Sequence, residues 1–299
     1  MIMKNHLIAK LLILFIIGLS IAGCEKDTEI NQLPADQAHK LINLTYGTDA
    51  RNKMDVYLPA NRTAETPIVI LIHGGAWISG DKSIFTSMQD TLLARGIASV
   101  NMNYRYVSSS VHNTQLMEDI DKVVKYCIDN SDKWQTRKSK IIIGGHSAGG
   151  HMSLMYGYTS DSRGAIGGIV SISGPTNLYD EQYLKMIQGY SVFMPMLILT
   201  LEQLADADYM EGQPVPENFR KISPITQIKN VPTLMIHGTN DELVAYQTVV
   251  AFEAELKNKG VVHKLYTIEG ADHSFNNISN TTRVKMNSEI SDWIFRYGK

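Results

Sequence analysis

Apolar positions follow two different spacings along this chain, and the switches between them outline a fold. Pro67 introduces Ile68-Val69-Ile70-Leu71-Ile72, a solid apolar run without alternation, which predicts a strand covered on both faces. Upstream, Ile42 to Tyr46 and Met54 to Leu58 flank the turn material Gly47-Thr48-Asp49 and predict an antiparallel hairpin at a sheet edge. Downstream, helix and strand patterns alternate: helix from Ser83 to Arg95, strand from Ala98 to Asn103, helix from Leu116 to Asp129, strand from Lys140 to Ile143, helix from Ala148 to Tyr158, strand from Gly168 to Ser173. The alternation resumes with a strand from Thr233 to Ile236, a helix from Val249 to Asn258, a strand from His263 to Ile268 and a last helix from about Thr282 to Arg296. This order predicts an α/β fold with a mostly parallel central sheet, helices on both faces, and functional loops gathered at the C-terminal ends of the strands.

The alternation breaks between about residues 175 and 225, where Tyr183, Met186, Tyr190, Met194, Met196 and Leu197-Ile198-Leu199 sit in helix-like sequence. This predicts a helical cap over the sheet edge. Methionine and tyrosine surfaces adapt to varied apolar ligands, so the cap is either part of a substrate site or a packing insertion. Cys127 falls in the helical pattern Ile120, Val123, Val124, Cys127, Ile128 and reads as a small buried hydrophobe.

The first residues follow another logic. Lys4 and Lys10 precede an uncharged run from Leu11 to Gly23, too short for the roughly 20 residues that cross a bilayer, so residues 1–23 read as a signal peptide. Ile21-Ala22-Gly23-Cys24 resembles the lipobox of bacterial lipoproteins, which implies a lipid on Cys24 and a membrane anchored by it. The polar stretch Glu25-Lys26-Asp27-Thr28-Glu29 resembles the export signals of Bacteroidetes surface lipoproteins, and residues 24–40 read as a polar tether. With Cys24 lipidated, Cys127 has no intrachain disulfide partner.

The remainder, residues 41–299, has the composition of one globular domain: over the whole chain 44% of residues are hydrophobic and 19% charged. Removal of the first 23 residues leaves 26 basic and 30 acidic side chains, a balance with no basic footprint for nucleic acid.

The chemistry concentrates in three loops. Gly144-Gly145-His146-Ser147-Ala148-Gly149-Gly150 holds Gly-x-Ser-x-Gly between a strand and a helix, a nucleophile elbow in which small residues at 145 and 149 allow the sharp turn that presents the Ser147 hydroxyl. A serine needs a base and the base an orienting acid. His273 follows the last strand, and Asp241 follows the strand Thr233 to Ile236, with Glu242 its local competitor. His73-Gly74-Gly75-Ala76-Trp77 follows the buried strand and is the candidate oxyanion loop, the amides of Gly75 and Ala76 joining that of Ala148. His73 reads as a loop-fixing side chain. Trp77 and His146 are candidate pocket residues, Trp77 either lining the pocket or packing beneath it.

These motifs, with Asn103-Tyr104-Arg105-Tyr106 and His237-Gly-Thr-Asn-Asp241, resemble the esterase/lipase branch of α/β-hydrolase-fold enzymes. Within it they are similar to hormone-sensitive-lipase-like carboxylesterases and, more closely, to bacterial feruloyl and acetyl-xylan esterases and kynurenine formamidases. Ala76 departs from hormone-sensitive-lipase relatives, many of which carry a third glycine there. The resemblance implies a serine carboxylesterase without metal or organic cofactor, acting through an acyl-enzyme on a small ester or an acylated polysaccharide. An amide hydrolase with the same triad and a glycan-binding lipoprotein without activity are the alternatives.

Overall fold

The computed structural model describes residues 33–189 and 194–299; the expected signal peptide, Cys24 and the start of the tether lie outside them. Among the described residues the strands are β1 (His39–Thr45), β2 (Lys53–Leu58), β3 (Ile68–Ile72), β4 (Ala98–Met102), β5 (Ile141–His146), β6 (Ile166–Ile172), β7 (Thr233–Gly238) and β8 (His263–Ile268). They form one sheet in the order β1-β2-β4-β3-β5-β6-β7-β8. β1 and β2 pair antiparallel, as the hairpin pattern predicts, and the strands from β3 to β8 run parallel.

The unalternating run in β3 has a direct cause. Ile68, Ile70 and Ile72 enter one core with Val100, Ile143 and Phe252, while Val69 and Leu71 enter a second core with Ile142, Leu234 and Ile294. Neither face meets water, so both phases of the strand must be apolar. The first core is completed by α2 (Asn113–Trp134) and α3 (Ala148–Met155), the second by α1 (Thr86–Ala94) and α9 (Asn280–Tyr297). Cys127 is fully buried in the first core, and burial pushes its thiol well above the ordinary range, so it packs as a hydrophobe.

Between β6 and β7 the chain makes α4 (Glu181–Gly189), α5 (Met194–Ala205), α6 (Glu217–Lys221) and α7 (Pro224–Gln227), and α8 (Tyr246–Asn258) connects β7 to β8. The helix read as Leu116 to Asp129 runs from Asn113 to Trp134, because Gln115 Oε1 accepts from the His112 amide at 2.9 Å at its start and Gln135 ends it in a left-handed conformation.

The boundary expected at residue 40 moves upstream. His39 and Lys40 already belong to β1, and the nearly buried Arg62 gathers the segment before it. Its guanidinium donates to Leu33 O at 2.9 Å, Gln37 O at 2.7 Å and Trp134 O at 2.7 Å. On the β2–β4 side, Lys82 and Asp55 pair at 2.5 Å with side chains only 10% and 9% exposed. This pins the 3-10 turn Lys82–Phe85, which the sequence pattern merges into one helix with α1.

Candidate active site

Parallel strands bring their C-terminal ends to one edge, and the loops after β3, β5, β7 and β8 carry the candidate residues there. Ser147 sits between β5 and α3 with φ 53° and ψ −119°, a conformation that strains any residue other than glycine. Two bonds hold it: its amide donates to Ile172 O at 2.8 Å and its carbonyl accepts from the His151 amide at 3.0 Å. A Cβ on Gly149 would collide with the Ile72 carbonyl, so the turn closes only with glycine there.

The Ser147 hydroxyl donates to His273 Nε2 at 2.9 Å, and His273 Nδ1 donates to Asp241 at 2.8 Å from Oδ2 and 3.0 Å from Oδ1. Asp241 Oδ1 also accepts from the amides of Val244 at 2.8 Å and Leu243 at 3.0 Å, while His237 Nε2 lies 3.1 Å from Oδ2. Burial would raise the Asp241 pKa; hydrogen bonds from His237, His273 and Val244 outweigh it and hold the carboxyl well below the usual carboxylate range. Glu242, the competing acid, is exposed.

The loop after β3 is wound by three consecutive positive φ angles, at Gly75 (117°), Ala76 (48°) and Trp77 (61°). The amides of Gly75, Ala76 and Ala148 have no acceptor among the described residues, the state expected of donors reserved for a ligand oxygen. His73 anchors the loop, its Nδ1 donating to Gly74 O at 2.6 Å and its ring stacked 4.3 Å from Tyr104. Burial lowers its pKa to about 4, so it is neutral.

Neither candidate pocket residue, Trp77 or His146, lines the cavity at Ser147. Trp77 is 3% exposed, and its indole N–H donates to His151 Nδ1 at 3.3 Å; it packs beneath the loop because that inward bond satisfies its polar edge. His146 donates from Nε2 to His273 O at 2.9 Å and lines a separate depression of about 410 Å³ with Phe85, Met88 and Arg283. The cavity at Ser147 is a different one, of about 110 Å³, lined by Ala76, Ile78, Tyr183, Leu197, Leu243 and His273 among others. Tyr183 and Leu197 bring the cap into it.

Sequence reasoning missed two contributors. Arg51, in the β1–β2 turn, donates to Tyr104 O at 2.7 Å and Gly80 O at 3.2 Å, and lies 3.7 Å over the Tyr106 ring. His237 braces Asp241, and its motif His-Gly-Thr-Asn-Asp was the available signal. Tyr183, named with the cap in the sequence, lines the cavity at Ser147. Among the described residues, no group of three or more His, Cys, Asp or Glu side chains could hold a metal ion.

Comparison with known proteins agrees with this architecture. The BD-FAE family model matches residues 54–256. A probable isoprenylcysteine alpha-carbonyl methylesterase of Oryza sativa subsp. japonica is 25% identical over 252 residues, covering 78% of this chain and 56% of that protein. An esterase of Mycobacterium tuberculosis is 25% identical over 250 residues, covering 77% of this chain and 58% of its own length. The chain thus spans little more than half the length of these relatives. A solved structure described as a truncated form of carbohydrate esterase from gut microbiota superposes with TM-score 0.71 at 19% identity, covering 90% of this chain and 99% of that one.

Proposed function

The chain belongs to the BD-FAE family of α/β hydrolases, and from that premise we propose that it is a serine carboxylesterase working through Ser147, His273 and Asp241. The observation that carries the reading is the unbroken line from the Ser147 hydroxyl through His273 to Asp241, beside amides without acceptors. Ser147 Oγ attacks the ester carbonyl as His273 Nε2 takes its proton, and Asp241 stabilises the resulting imidazolium. Charge on the carbonyl oxygen is met by the amides of Gly75, Ala76 and Ala148, fixed before the reaction starts. His273 then returns the proton to the departing alcohol, and water, activated in the same way, releases the acyl group.

Acetylated or feruloylated polysaccharide is the substrate class we propose, supported by the carbohydrate esterase among the structural neighbours and by the family resemblance of the motifs. Export as a lipoprotein through Cys24 belongs to the same reading and is supported by the lipobox pattern. The test is hydrolysis of p-nitrophenyl acetate and of acetylated xylan by the purified protein and by Ser147→Ala, with fluorophosphonate labelling of both. Turnover and labelling lost in the variant carry the proposal; cleavage confined to N-formylkynurenine would make the protein an amidase. Absence of both turnover and labelling would leave a glycan-binding protein.

A further inference from the structure

The cavity at Ser147 is small, partly covered by the cap and mostly apolar: beside Ser147, His273, Tyr183 and Thr200 it presents Ile78, Leu197, Leu243 and Val244. Its volume of about 110 Å³ is less than the about 150 Å³ of an apolar cavity that holds one benzene. A chain of two to four carbons fits that space, and a substituted phenyl ring does not.

Tyr183 of α4 lines this cavity and also a second depression of about 390 Å³, which is the more polar and more open of the two and is bordered by Asn177, Asp180, Gln247 and Thr248. The tyrosine is 8% exposed and borders both spaces, with its backbone amide donating to Asp180 Oδ1 at 2.9 Å. A tyrosine at such a border can turn its apolar ring to one side and its hydroxyl to a ligand on the other.

The two compartments differ in the way the two halves of an ester differ during an acyl-enzyme cycle. The acyl half stays bound to the serine and benefits from an enclosed apolar space, whereas the alcohol must leave and water must follow it in. We infer that the apolar cavity is the acyl site and admits only short aliphatic acyl groups, while the alcohol lies across Tyr183, whose hydroxyl bonds to it, towards the polar depression. The inference rests on the serine-esterase reading and narrows it, since an aromatic acyl group such as feruloyl is excluded.

The test varies one half of the ester at a time, using the full chain. With p-nitrophenol as the constant alcohol, kcat/KM is expected to fall at least about tenfold from butyrate to octanoate, and methyl ferulate to be cleaved no better than octanoate. Leu197→Ala and the more exposed Leu243→Ala are expected to recover octanoate relative to butyrate about tenfold. With acetyl as the constant acyl group, Tyr183→Phe is expected to lower kcat/KM on an acetylated xylo-oligosaccharide about threefold to tenfold more than on p-nitrophenyl acetate. Octanoate or ferulate cleaved as fast as butyrate by the parent protein would overturn the acyl assignment, and an equal effect of Tyr183→Phe on both acetyl esters would overturn the alcohol assignment. Absence of fluorophosphonate labelling at Ser147 is the separate outcome that removes the esterase reading and this inference together.

Discussion

Acid should strip this protein of much of its stability before its carboxylates titrate, because His73 and His151 are buried neutral. Burial lowers His73 and His151 from 6.5 to about 4 each, and both rings are fully covered. A histidine depressed in the folded state binds its proton more readily in the unfolded chain. Stability is therefore highest above pH 6.5 and falls as pH drops from there to about 4. At about 1.4 kcal/mol per pH unit, each ring removes about 3 kcal/mol across that window, and the two together roughly 6 to 7 kcal/mol. That is comparable with the whole stability of an ordinary domain, roughly 5 to 15 kcal/mol. Asp241 leaves the slope in this window unchanged: its depressed pKa contributes stability that is lost only as pH falls from the ordinary carboxylate value of 3.8 towards its folded value. The assay is urea unfolding from pH 7.5 to 4.5 with free energies from linear extrapolation. His151→Phe should lose stability at neutral pH, since the Ile222 carbonyl and Trp77 indole lose their partner, but its pH slope should be shallower by up to about 1.4 kcal/mol per pH unit. A parent protein equally stable at pH 6.5 and 4.5, or a variant with an unchanged slope, would refute the reasoning.

Asp241→Asn should lower kcat on p-nitrophenyl acetate by about 10⁴, since the amide no longer secures the His273 tautomer that accepts the serine proton. Arg51→Ala removes the donor that ties Tyr104 O and Gly80 O to the strand hairpin; kcat on the same ester should fall about tenfold with little change in KM, and a larger effect on KM would count against a positioning role. Asp55→Leu alone should cost about 3 to 5 kcal/mol in chemical denaturation, by leaving Lys82 charged and buried, and Asp55→Leu with Lys82→Met should recover much of it.

The parts of the molecule legible in the sequence are those whose chemistry is local. Gly-x-Ser-x-Gly after a strand, and a glycine-rich loop after a solid apolar run, each contain within a few residues the reason for their conformation. A mostly parallel sheet was equally accessible, because strand and helix alternate along the chain, whereas the strand order was not. Arg51 was invisible because its partners, Tyr104, Tyr106 and Gly80, approach it only once β2 pairs with β4. His237 and Trp77 were visible as residues but not as directions: whether a side chain faces the site or its support depends on strand register and loop winding. The structured segment from Leu33 to Gln37 was read as tether because its polar sequence has no periodicity, and its order derives from Arg62.

The imidazole of His151 joins two parts of the protein that share no strand. One nitrogen receives the indole N–H of Trp77 in the candidate oxyanion loop, and the other donates to Ile222, where α6 meets α7 in the cap. The ring works as a two-ended pin that needs one acceptor and one donor, and only the neutral form has both. A second proton would push the loop end of the pin out while leaving the cap end in. Loop and cap are therefore mechanically in register only while this buried ring stays uncharged, so the wall of the site and its roof depend on one and the same proton count.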